Sequence, residues 1–68
     1  MSIKPNREEL ALISYAIGTE ADAVSTYNYL LKHVRPEFRA VIKHIRKEEE
    51  EHIEELKGLL NGDVEENV

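Results

Sequence analysis

Residues Leu30–Ile42 read LLKHVRPEFRAVI, and the proline near their centre decides the fold. The residue before a proline is pushed out of the α region, so a helix running in from the N-terminal side ends near His33. Pro36 suits the first turn of a new helix, where its missing N–H costs nothing, and Glu37 is favourable at that positive end. Onward from the break, Phe38, Val41, Ile42, Ile45, Ile53, Leu56, Leu59 and Leu60 recur at helical spacing on one stripe. Asn61-Gly62 stops this second helix, Gly62 being suited to the C-terminal cap. Back from the break, Leu10, Ile13, Ile17, Val24, Leu31 and Val34 recur at three, four and seven residues. Asn6 is a good N-cap for that helix, and Glu9 three residues on completes a capping box. The spacing thus predicts helices over about 7–33 and 37–60, a turn at 34–36 and a loose tail at 61–68. Residues 1–68 form a single all-α domain, an antiparallel two-helix hairpin.

Composition sets the bounds. With 68 residues, a net charge of −5 and no cysteine, the chain holds one small domain without disulfides, thiolate metal sites or a CxxC redox module. Chains this short usually need a staple, so oligomerisation or a metal held by O and N ligands is expected. No Lys/Arg-rich face is available to displace the counterions of a nucleic acid. The start MSIKPNREEL turns charged at once and no run of 18 apolar residues follows, so neither signal peptide nor membrane span is expected, and the cytoplasm is the expected location. One stripe per helix leaves much of each stripe wet. Pairing two hairpins as a homodimer closes a four-helix bundle with the stripes inward.

Three ionisable residues lie on those stripes. At about 100° per residue, Glu20 falls on the line of Ile13, Ile17 and Val24, while Glu49 and His52 fall on the line of Ile45 and Leu56. Within KEEEEHIEEL (Lys47–Leu56) the other glutamates Glu50, Glu51, Glu54 and Glu55 point away. Glu48 sits at the edge, and the spacing leaves it undecided. A buried unpaired carboxylate is costly and takes up a proton rather than remain charged alone. An ion pair between Glu20 and His52 would satisfy two of the three and strand Glu49.

Residues 20 and 49 are equidistant from the turn, so the antiparallel hairpin brings them level. A two-fold axis perpendicular to the bundle would gather Glu20, Glu49 and His52 from both chains. Four carboxylates and two imidazoles with two Glu-x-x-His motifs match the ligand set of di-iron carboxylate bundles. Two divalent cations would neutralise the four carboxylates. Carboxylate-rich sites with one imidazole per metal favour Fe(II), or Mn(II), over Zn(II).

The segments AIGTEADAVSTY (Ala16–Tyr27) and IRKEEEEHIEEL (Ile45–Leu56) resemble the ferritin-like superfamily, in its rubrerythrin-type and encapsulated-ferritin-type branch. Most members hold four helices in one chain; this chain has half, as the encapsulated type does. The resemblance implies a ferritin-like four-helix bundle formed by a homodimer and two Fe ions per dimer. It assigns Glu20, Glu49 and His52 as ligands and places Tyr27 beside the site. It implies ferroxidase-type handling of Fe(II) with O2 or peroxide. The encapsulated branch often carries a C-terminal peptide that docks into an encapsulin shell; GDVEENV (Gly62–Val68) does not read as one. Rubrerythrins proper add a cysteine-ligated iron, which this chain cannot build. Peroxide reduction would therefore need an external electron donor.

Tyr27 lies two turns past Glu20 on the same stripe, and helical aromatics lean toward the N-terminus. It suits a hydrogen bond at the site or a place in the core equally well. His33 and His44 are expected in solvent. The outer face of the first helix carries Ala11, Ser14, Tyr15, Gly18, Ser25 and Tyr29 with hardly a charge. A helix without a charged face tends to be covered on more than one side. Assembly beyond the dimer through this face is expected, with Asp22 lining a path for ions. From a different class, a metal-free helical interaction module would tolerate leucine at Glu20, Glu49 and His52 with a gain in stability.

Overall fold

The computed structural model describes residues 2–64, and it is all-helical with two helices packed against each other. Helix α1 spans Arg7–His33 and α2 spans Pro36–Leu60. Among the described residues no helix is long and apolar enough to cross a membrane.

Local chemistry sets each boundary. The Asn6 side chain accepts a hydrogen bond from the Glu9 amide (2.8 Å), and the Glu9 carboxylate accepts one from the Asn6 amide (2.9 Å). Two of the four orphan amides at the start of α1 are thereby satisfied. At the other end Val34 is extended (φ −94°, ψ 157°), as a residue feeding toward a proline-led helix must be. Pro36 then opens α2 from an extended Arg35. Past α2, Gly62 adopts φ +85°, in the left-handed region that favours glycine. A Cβ there would lie 3.1 Å from both the Ile3 carbonyl and the Ser2 hydroxyl.

The stretch expected as a loose tail divides in two. Asn61–Val64 turns back across the N-terminal segment: Ser2 and Asp63 form an antiparallel bridge, and the Ile3 amide donates to the Gly62 carbonyl (2.8 Å). Lys4 Nζ also donates to the Asn61 carbonyl (2.9 Å). Residues 65–68 lie outside the described residues.

Polar ties cross the hairpin at two heights. Arg46 donates to Asn28 Oδ1 (2.8 Å), and nearer the turn Arg39 donates to the Leu31 carbonyl. The apolar stripes meet between the helices, yet little of them is fully covered. Among the described residues Leu31 is the one hydrophobic side chain that is buried. Ile13, Ile17, Val24, Ile45, Ile53 and Leu56 remain half-buried, while Leu12, Phe38 and Val41 are exposed, the last at 63%. The accessible surface is 5478 Å², against about 4,400 Å² for a folded monomer of 7.8 kDa. The Cα radius of gyration is 15.0 Å, where a compact domain of this length has about 11 Å. A slab one helix thick, with extents 45 × 24 × 13 Å, has no interior of its own.

Candidate metal centre

Half-way along the hairpin, α1 contributes Glu20 and α2 contributes Glu49 and His52. One ligand atom from each lies within 4.8 Å of the others. The antiparallel pairing sets this meeting, because it levels the middle of α1 with the middle of α2. Helical spacing then places Glu49 and His52, three residues apart, on one face one above the other.

His52 Nδ1 lies 3.7 Å from Glu20 Oε2 and 3.9 Å from Glu49 Oε2. Both distances exceed a hydrogen bond, so the three groups converge without bonding to one another. Ligands held about 2.0–2.2 Å from a metal stand roughly 3–4 Å apart, and these two separations fall in that span. Glu20 Oε2 is buried without a hydrogen-bond partner. Such an orphan costs about 1–3 kcal/mol in a folded protein unless something else satisfies it. The donor set, two carboxylates and one imidazole converging on an unsatisfied oxygen, fits a divalent cation. Glu20 and Glu49 are mostly shielded, with 27% and 21% of each side chain exposed, whereas His52 is half open at 51%. The site therefore faces outward on the side where α2 is uncovered.

The other residues singled out from the sequence lie elsewhere. Glu48 is exposed and pairs with His44 Nε2 at 3.4 Å, one turn back along α2, which directs it away from the three. His33, also exposed, sits against the Tyr29 ring with centroids 4.3 Å apart. Tyr27 is half-buried, seven residues along α1 from Glu20. Asp22 is exposed, and its backbone carbonyl accepts from Thr26 Oγ1 (3.1 Å). The outer positions Ala11, Ser14, Tyr15, Gly18, Ser25 and Tyr29 are all exposed, and a Cβ at Gly18 would meet nothing within 4 Å. Sequence spacing missed the Arg46–Asn28 tie, since charge patterning alone does not reveal a partner on the other helix.

The chain matches no family model and no curated protein, and its fold matches no solved structure.

Proposed function

We propose that this chain is half of a di-iron carboxylate protein, completed when two hairpins form a ferritin-like four-helix bundle. The observation that carries the reading is the convergence of Glu20, Glu49 and His52, with Glu20 Oε2 buried and unpartnered. A single hairpin offers three ligands and leaves His52 half open. A second copy would supply the same set and bring the ligands to four carboxylates and two imidazoles. The uncovered stripes and the excess accessible surface call for the same partner, because a stable interface buries about 800 Å² on each side.

A pair of Fe ions bound there would supply one-electron exchange with O2 or peroxide, and Mn is compatible with the same donors. The residues have separate tasks. Glu20 and Glu49 offset the charge of the cations, so that two per dimer leave the centre near neutral. His52 contributes the nitrogen donor of the set. The apolar neighbours Ile17, Val24, Ile45, Ile53 and Leu56 would be sealed by the second hairpin, excluding water and strengthening each electrostatic contact. With Fe(II) as substrate, two ions each lose one electron and peroxide accepts both with two protons, giving two waters.

Iron per dimer and the rate of Fe(II) oxidation, measured for the wild type and for Glu49→Ala, test the proposal. The variant is expected to lose bound iron and at least about a hundredfold in rate, given what ligands and their orientation contribute at metal sites. Equal rates in the two proteins contradict it.

A further inference from the structure

Phe38, Ile45, His52 and Leu59 follow one another along α2 at seven-residue intervals. Seven residues fall about 20° short of two full turns, so the four side chains share nearly one line. Phe38, His52 and Leu59 are exposed, and Ile45 is half-buried. This line therefore runs along the edge of the contact with α1, where α2 is left partly open. Its centre falls between residues 48 and 49, at the level of the candidate metal centre, with Phe38 and Leu59 each about 16 Å from that centre in opposite directions.

The two ends of the line differ. At the open end of the hairpin, Leu59, Leu12, Ile13, Ile3 and Pro5 line a groove of ≈ 340 Å³. About ten waters would fill that space at liquid density, against walls that are mainly apolar. At the turn end there is a projecting side chain instead, the 53% exposed ring of Phe38. The charges differ too. Around the turn, Lys32, Arg35, Arg39 and Lys43 face only Glu37 in opposition. At the open end Glu54, Glu55 and Asp63 outnumber Lys57, and Glu8 and Glu9 in the first turn of α1 balance Lys4 and Arg7.

We infer that the second copy docks antiparallel, through a two-fold axis perpendicular to the hairpin at the level of Glu49, so that the partner's Phe38 fills the groove at Leu12 and Leu59. The reading deepens the proposed dimeric metal centre by naming which surface of the partner completes it, and it rests on that proposal for the dimer itself. An axis at this level exchanges the ends of the line. Phe38 meets the partner's Leu59 at both ends, Ile45 meets the partner's His52 on either side of the centre, and the basic turn of each hairpin lies over the acidic open end of the other. The alternative axis, running along the bundle, sets groove against groove and turn against turn. Both grooves then stay wet and like charges face each other, which costs stability and specificity.

Because the chain has no cysteine, single introduced thiols report pairing without background. Phe38→Cys and Leu59→Cys proteins are oxidised separately and as an equimolar mixture, at concentrations where the wild type is dimeric. The antiparallel register predicts a covalent heterodimer as the main product of the mixture and almost none from either variant alone, since a disulfide needs Cα atoms about 4.4–6.8 Å apart. Cross-linked homodimers of Phe38→Cys overturn it, as does the absence of cross-linking in all three samples. Phe38→Ala, which leaves the metal ligands intact, is expected to raise the dimer dissociation constant about tenfold or more, as loss of an aromatic side chain seated in a pocket does. An unchanged constant overturns the inference as well. Mn(II) titration of the same proteins separates the two claims. Metal bound to a dimer of another register leaves the metal centre standing and removes this docking; the predicted cross-link without metal binding does the reverse.

Discussion

Glu20 brings an unmet hydrogen-bonding need into the middle of the hairpin. Its Oε2 is buried without a donor, and His52 Nδ1 is 3.7 Å away, beyond hydrogen-bond distance. Replacing it with leucine should stabilise the apo protein by about 1 kcal/mol, the lower part of the range for removing an orphaned polar group. The same change should abolish the rise in melting temperature that Fe(II) or Mn(II) gives the wild type. Thermal melts with and without metal check both halves, and a retained metal shift in Glu20→Leu would remove Glu20 from the site. A metal-free interaction module would show the stabilisation and no metal shift in either protein. Replacing His52 with leucine should likewise weaken metal binding, by about 10-fold or more; a calorimetric Mn(II) titration reads this directly, and an unchanged affinity argues against His52 as a ligand. The meeting of Glu20, Glu49 and His52 was legible in the sequence because each one interrupts an apolar stripe, and interruption is a local pattern. Glu48 was not legible. Its side chain is settled by His44, at a distance of 3.4 Å and on its own helix, and a choice between two exposed orientations leaves no trace in periodicity.

The helices end where local chemistry ends them. Asn6→Ala removes the reciprocal capping pair with Glu9 and should cost about 1 kcal/mol. Gly62→Ala forces a side chain into a backbone at φ +85° and against the Ile3 carbonyl at 3.1 Å, and should cost about 1–2 kcal/mol. Denaturant unfolding at fixed protein and metal concentration measures both, and a neutral Gly62→Ala would show that the closing turn contributes nothing. These boundaries could be read from sequence because Asn6, Pro36 and Gly62 act on neighbours within a few residues. The clasp beyond them could not. Ser2 and Asp63 are brought together only once both helices have formed and paired, and nothing in GDVEENV or MSIK announces the other. The Arg46–Asn28 tie escaped notice for the same reason.

At the scale of the molecule, the single hairpin is under-buried. A radius of gyration of 15.0 Å and one buried hydrophobic side chain among the described residues describe half of a core. Sedimentation should accordingly find a dimer as the smallest stable species, and growth of larger species with concentration would implicate the exposed face at Tyr15, Gly18 and Tyr29. A folded monomer at micromolar concentration would contradict the dimeric account. That one hairpin leaves apolar surface uncovered was legible from the width of the stripes; how far each side chain is left open was not, since exposure depends on the side of each helix that the other covers. Native mass spectrometry of the wild type loaded anaerobically with Fe(II) tests the central claim most directly. The account predicts a dimer carrying two iron ions, with both lost in Glu49→Ala; a wild-type dimer without iron, or a variant that binds it equally, would contradict the account.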